Sequence, residues 1–335
     1  MPNHHPPKGE KMIARLLSVL ATTLAVGALL VAAGSPRTLA ADAAQEHFSS
    51  PDEAARALVA AAKEGDTKAL LAVLGPDAKR MVDSGDPVAD HEARERFVKS
   101  YEEKNSIVTL SDTEAMLQTG KDDWPMPIPI VKDDAGWRFD SGAGEHEVLD
   151  RRIGRNELAT IQACLAYVDA QREYYARDPE KSDLLYYAQR FASTKGHRDG
   201  LYFETREDEP ESPLGSLFAQ ARAEGYGKGS NTKGYPFHGY YFRILKAQGP
   251  HAKGGAYDYL AHGKMMGGFA LVAFPATWGS SGVMTFLVNH DGVVLEKNLG
   301  PKTAAIAQAM TKFDPDDTWK PVPNQDEEPE SPSAE

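Results

Sequence analysis

The chain has 335 residues, a formal net charge of −12 and one cysteine, Cys164. An acidic chain without a basic stripe repels phosphate backbones, so we expect no nucleic acid among its partners. A single cysteine excludes an internal disulfide, and the apolar residues at helical spacing around Cys164 predict a buried structural thiol.

The amino terminus has the pattern of a secretory signal peptide. Basic residues precede an uncharged run at 16–33, and small residues then allow cleavage after Ala40 or Ala43. We therefore predict that residues 1–40 are a signal peptide and that the protein is periplasmic or secreted. An uncleaved membrane anchor is the alternative, because about 18 apolar residues can just span a bilayer. No later run is apolar for long enough, so no stable membrane span is expected after cleavage.

Residues 48–140 carry helix signals first and strand signals afterwards. Ser50 and Glu53 form a capping-box pattern around Pro51, which predicts the start of a helix. The expected helices cover 50–65, 66–75 and 87–103, and the expected strands cover 107–110, 115–119, 126–131 and 137–140. Helices followed by antiparallel strands predict an α+β module.

A second α+β module is expected over residues 141–320. Its apolar spacing predicts a long helix over 154–177 that links the two halves. The other expected elements are a helix at 212–225, a Gly-rich loop at 226–235, strands at 239–247 and 268–274, a hairpin of 283–288 with 293–297, and a helix at 302–311. The acidic, Pro-rich residues 321–335 are predicted to form a disordered tail.

Several long runs of sequence resemble those of a known family. They are residues 84–90, 151–157, 167–174, 238–245 and 282–289. On these runs the chain is identified as a member of an uncharacterised family of exported bacterial proteins, domain of unknown function 2950. The resemblance implies export. It implies no established activity and therefore no catalytic residue.

Two further resemblances concern the fold of each half. Residues 48–140 resemble the nuclear-transport-factor-like cone, in which helices cover a curved sheet and enclose a pocket. The second half resembles the globular heads of type II secretion pseudopilins, where a loop region can bind calcium. The corresponding residues 178–183 lack a glycine for the sharp turn and contain a lysine, so no metal site is predicted.

The candidate binding residues are aromatic and polar side chains that flank the strands of the second half. They are Tyr235, His238, Tyr240, Tyr257, Asp258, Tyr259 and Lys264. Such a mixture can line a binding face, because tyrosine gives contact area and ends in a hydrogen-bonding group. The alternative is that these tyrosines pack at the edge of an antiparallel sheet. Trp124 is a further binding candidate, as a residue that lines or fills the cone pocket.

No motif for catalysis, a metal or a cofactor is found in the sequence. We therefore predict a non-enzymatic binding or envelope assembly factor, whose partner is an envelope protein or a small molecule. The alternative is a hydrolase-like enzyme that uses the pocket of the N-terminal cone, with Asp140 or Asp123 as acid or base. A third hypothesis is a structural module that dimerises through the first sheet.

Overall fold

A computed structural model of the protein describes residues 45–227 and 236–323, which belong to one unit. The predicted signal peptide, most of the Gly-rich loop and most of the acidic tail lie outside the described residues. The helices and strands that are described confirm the α+β class. The division into modules at residues 140 and 141 stays a prediction.

The elements are numbered along the chain. The helices are α1 Pro51–Glu64, α2 Thr67–Leu74, α3 Lys79–Val82, α4 Pro87–Glu103, α5 Ser141–Arg177, α6 Gly215–Ala223 and α7 Thr303–Ala309. The strands of the first half are β1 Asn105–Ser111, β2 Glu114–Thr119, β3 Trp124–Pro125, β4 Ile130–Asp133 and β5 Gly136–Phe139. The strands of the second half are β6 Tyr240–Leu245, β7 Ala247–Gln248, β8 Tyr257–Asp258, β9 Leu260–Ala261, β10 Lys264–Met265, β11 Ala270–Pro275, β12 Met284–Asn289, β13 Leu295–Asn298 and β14 Lys320–Pro321.

Local capping signals set the first helices. The Ser50 hydroxyl accepts a hydrogen bond from the Glu53 amide at 3.2 Å, and the Glu53 carboxylate accepts one from the Ser49 amide at 2.9 Å. This variant of the capping box confirms the predicted start of α1. Asp66 caps α2 by accepting a hydrogen bond from the Lys68 amide at 2.9 Å. These helices pack on the antiparallel sheet β1-β2-β4-β5, around a core that includes Leu117 and Phe139.

The prediction of a strand over 126–131 was wrong in its bounds. Pairing is split between β3 and β4, and Pro127 and Pro129 lie between them. Proline has no backbone N–H and therefore cannot donate to the ladder, which explains the interruption.

The prediction that the long helix begins at Gly154 was also wrong, because α5 begins at Ser141. The Asp140 carboxylate caps it by accepting a hydrogen bond from the Ala143 amide at 3.3 Å. Position 144 of the helix requires glycine, because a Cβ atom there would lie 2.7 Å from the Pro127 carbonyl oxygen. Helix α5 therefore packs closely on the first sheet before it continues to the second.

The second sheet has the strand order β14-β13-β12-β11-β6, with every pair antiparallel. Helix α5 contacts β11 and β12, and α7 contacts β11. The Tyr240 hydroxyl reaches α5, and the Arg243 guanidinium reaches α7, so odd and even positions of β6 face opposite sides. The predicted hairpin is confirmed as β12 and β13.

The second core is rich in aromatic residues. Helix α5 contributes some of them and covers others. Tyr167 and Tyr174 of α5 are buried there, and Tyr167 packs edge-on against Phe269 at 5.6 Å between ring centroids. Cys164 is fully buried, as predicted, and burial raises the pKa of its thiol to about 12. A thiol of this kind is inert at neutral pH.

Within the described ranges, none of the helices is both long and apolar enough to cross a bilayer.

Candidate functional site: a polar junction and an arginine-lined depression

A buried aspartate joins α4 to the second half of the chain. Asp86 is 1% exposed. Its Oδ1 atom accepts hydrogen bonds from the amides of Val88 and Ala89, both at 3.2 Å, and so caps α4. Its Oδ2 atom accepts from the Tyr226 hydroxyl at 2.9 Å and from the Gly239 amide at 2.8 Å. One carboxylate therefore satisfies donors from both halves.

Helix α5 sends polar side chains into the same junction. The Arg152 guanidinium donates to the carbonyl oxygens of Arg80 and Met81. The Asn156 amide group donates to the carbonyl oxygen of Ser281 at 2.8 Å. The helix thereby holds α3 and the loop before β12 at fixed positions.

Glu157 is the third polar residue that α5 contributes. Its Oε1 atom accepts hydrogen bonds from the amides of Val283 and Met284 at 2.8 and 2.9 Å. The Tyr240 hydroxyl lies 3.4 Å from the same oxygen and donates to the Met284 carbonyl at 2.9 Å. Burial, followed by the charge of Glu157, raises the pKa of the Glu296 carboxyl. The predicted binding residue Tyr240 is 0% exposed and makes its hydrogen bonds inside the protein.

Four of the runs that resemble the family meet at this junction. They are residues 84–90, 151–157, 238–245 and 282–289, which are far apart in the sequence. Sequence reasoning identified these runs but did not place them together, because their contacts are long-range. The polar side chains within the runs were the available signal.

His238, a predicted binding residue, borders the junction in a left-handed backbone conformation with φ 48°. Its Nε2 atom lies 3.2 Å from a carboxylate oxygen of Glu224, and its ring packs edge-on against Tyr226. The next residue must be glycine, because a Cβ atom on Gly239 would lie 2.6 Å from the Asn156 side chain. His238 is therefore held in a fixed position beside a carboxylate.

Tyr257, Asp258 and Lys264 lie together elsewhere, around the short strands β8, β9 and β10. Tyr257 is 39% exposed, and Asp258 is also exposed. The Lys264 ammonium lies 3.8 Å from the centre of the Tyr186 ring and 3.8 Å from a Glu180 oxygen. Lys264 is thus already paired with a carboxylate and with a π face.

The predicted binding residues form three separate groups. Tyr240 lies beside Glu157 and His238 lies two residues before it, whereas the group with Lys264 contacts Tyr186, which packs against Tyr174 of α5. Residues 157 and 174 are roughly 25 Å apart along a helix. Trp124 forms the third group, with the Arg151 guanidinium 5.1 Å above its ring. Tyr235 lies outside the described residues, and Tyr259 is buried with its hydroxyl bonded to Gln248.

An open depression of about 440 Å³ lies on the α7 side of the second sheet. Its lining includes Tyr241, Arg243, Phe274 and Gln308. The rings of Tyr241 and Phe274 are 5.7 Å apart and tilted against each other. The volume falls within the range of small-molecule sites, roughly 300–1,000 Å³.

Arg243 is a half-buried cation in this depression. Its Nη2 atom donates to the carbonyl oxygens of Ala307 and Met310 at the end of α7, while its Nε atom is buried without a partner. Burial lowers the pKa of the guanidinium. Among the described residues Arg243 forms no ion pair, although the chain is acidic. The sequence shows the alternation of Tyr241 and Arg243 along a strand, but it cannot show that this arginine lacks a carboxylate.

The carboxylates named for the enzyme hypothesis have structural partners. Asp140 caps α5, and Asp123 pairs with Lys104 at 2.6 Å. Among the described carboxyl groups, the pKa is raised in Asp90, mainly through burial, and in Glu296. In the described part of the chain, no group of three His, Cys, Asp or Glu side chains is placed to hold a metal ion.

The fold of the described residues is an α+β arrangement in which one long helix connects two five-stranded antiparallel sheets. The family model for proteins of unknown function, DUF2950, matches residues 45–322, and the chain belongs to this family. A search of curated proteins and of solved structures gives no match. The cone-like and pseudopilin-like resemblances therefore stay predictions.

Proposed function

We propose that the protein is an exported, non-enzymatic binding protein whose site is the depression around Arg243. The observation that carries the proposal is a half-buried guanidinium without an ion pair in the described residues. Two carbonyl oxygens at the end of α7 replace part of the lost hydration of this guanidinium, but no carboxylate among the described residues neutralises its charge. Buried charges in proteins are normally paired with an opposite charge. A bound anion would supply the missing charge.

The walls of the depression define the rest of the ligand. Tyr241 and Phe274 offer two aromatic faces beside the cation, and Gln308 adds an exposed polar group. Arginine binds carboxylates through charge-assisted N–H donors, and those of the Arg243 Nη1 atom have no hydrogen-bond partner among the described residues. Aromatic faces accept flat apolar groups. The expected ligand is therefore a small molecule with a carboxylate attached to a flat apolar group.

The test compares 2-naphthoate with the uncharged 2-naphthamide by ligand-observed NMR on the protein without its predicted signal peptide. Naphthoate should bind, and naphthamide should bind at least about tenfold more weakly, because it cannot form the charge-assisted contact with Arg243. Arg243→Gln should remove this preference.

Two further variants separate binding from folding. Gln308→Glu places a carboxylate beside the guanidinium at an exposed position, so it should weaken naphthoate binding without loss of the fold. Lys297→Gln is the matched control: it lies on the same sheet face, but Lys297 already pairs with Asp316. Equal binding of the two ligands, or an equal effect of Lys297→Gln, would contradict the proposal.

A further inference from the structure

The middle of α5 carries two exposed leucines. Leu158 is 53% exposed and Leu165 is 37% exposed, although both belong to the helix that connects the two sheets. The buried residues of the same helix, which include Cys164 and Val168, face the second core. The leucines therefore lie on the side of α5 that the described residues leave open to solvent.

The exposed and half-exposed residues of this side form one stripe along the helix. The stripe consists of Arg151, Arg155, Leu158, Gln162, Leu165, Asp169 and Glu173, and successive members are three or four residues apart. This is the spacing of a helix face that packs against another helix. With a rise of 1.5 Å per residue, the stripe is roughly 33 Å long.

The charges of the stripe are divided between its two ends. Arg151 and Arg155 lie before the first leucine, and Asp169 and Glu173 lie after the second. Among the described residues, Arg155 forms no ion pair, and the other three charged groups pair only with residues one turn away on α5. Exposed pairs of this kind contribute little to stability, so these groups remain available for a partner.

We infer that this stripe is the interface of a homodimer, in which the α5 helices of two copies pack antiparallel around a two-fold axis near Gln162. Arg155 and Asp169 each lie seven residues from Gln162, so antiparallel order brings Arg155 of one copy beside Asp169 of the other. Arg151 and Glu173 each lie eleven residues from it and meet in the same way. Two-fold symmetry repeats each contact, so every charge of the stripe lies opposite a charge of the other sign.

The same charges disfavour a parallel pair of α5 helices. In a parallel pair Arg155 would face Arg155 and Asp169 would face Asp169, and like charges across an interface repel each other. In the antiparallel pair, Leu158 of one copy lies next to Leu165 of the other and supplies the apolar contact. The stripe shares no residue with the depression around Arg243, so this inference does not depend on the proposed function.

The test is sedimentation equilibrium of the protein without its predicted signal peptide. We expect the mass of two chains, with a dissociation constant that rises with salt concentration, because salt screens the exposed charges at the ends of the stripe. Leu158→Glu should raise that dissociation constant at least about tenfold, since it removes a leucine contact from both symmetric positions. Leu184→Glu is the matched control, because Leu184 is 52% exposed and lies outside α5, and this variant should dimerise as the wild type does.

An exchange of charges tests the antiparallel order. Arg155→Glu and Asp169→Arg should each weaken the dimer, because each places like charges opposite one another. The double variant should restore the dimer, because opposite charges then face each other again. The replaced side chains are exposed, so each variant should keep the circular dichroism spectrum of the wild type.

The mass of one chain at concentrations up to about 1 mM would overturn the inference, whether or not another protein binds the stripe. A dimer that Leu158→Glu leaves intact would also overturn it and would point to another interface, such as the first sheet. Equal weakening by Leu184→Glu, or a double variant that dimerises no better than the single variants, would count against it in the same way. None of these outcomes bears on the naphthoate experiment.

Discussion

Replacement of Asp86 by asparagine tests the polar junction between the two sheets. An asparagine oxygen can still accept the amides that cap α4. At the other position, its NH2 group would face two donors, the Tyr226 hydroxyl at 2.9 Å and the Gly239 amide at 2.8 Å. The side chain is 1% exposed, so water cannot replace the lost acceptor.

The expected loss of stability follows from these contacts. A hydrogen bond to a charged group contributes about 1.5–3 kcal/mol, so the loss of both gives about 3–6 kcal/mol. Part of this loss of stability is offset, because a neutral amide is easier to bury than a carboxylate. We therefore expect Asp86→Asn to lower the free energy of unfolding by about 3 kcal/mol.

The assay is equilibrium unfolding in urea, followed by tryptophan fluorescence and by circular dichroism. Asp83→Asn is the matched control, because Asp83 lies in the same loop and is exposed. Among the described residues its side chain accepts a hydrogen bond only from the Gly85 amide, which asparagine can also bind. The control should stay within about 0.5 kcal/mol of the wild type. Equal stability of the two variants would refute the account of the junction.

Two further predictions concern α5 and the first turn of α4. Gly144→Ala should destabilise the protein by about 1–3 kcal/mol in the same urea assay, because its Cβ would meet backbone and side-chain atoms of Pro127 and Ile128 at less than 3 Å. Gly154→Ala should instead stabilise the protein by about 0.5–1 kcal/mol, because nothing lies within 4 Å of a Cβ atom at that position. A similar loss of stability in both variants would contradict the role given to the Gly144 contact. Burial raises the pKa of Asp90, so its ionisation opposes folding as the pH rises through that raised value. Asp90→Asn should therefore gain stability relative to the wild type from acidic to neutral pH, and a constant difference across that range would argue against it.

Elements with local signals could be predicted from the sequence. Helix α4 has the predicted bounds, because Asp86 caps it and Pro87 occupies its first position, and both signals are adjacent in the chain. The start of α5 was missed for the opposite reason. Its glycines resemble helix breakers, and the close approach of Gly144 to Pro127 that explains one of them is a long-range contact.

The candidate site shows the same limit. The sequence contains Arg243, but it cannot show whether this arginine finds a carboxylate after folding. That depends on which face β6 presents to α7. Tyr240 was predicted from its chemistry as a binding residue, whereas strand register places it inside the protein beside Phe286.

A titration of the ¹⁵N-labelled protein with 2-naphthoate, followed by amide chemical shifts, tests whether the depression around Arg243 binds an anionic small molecule. We predict saturable shifts confined to β6, β11 and α7, which Arg243→Gln removes. Saturable shifts at other elements, or no shifts in the wild type, would contradict the account.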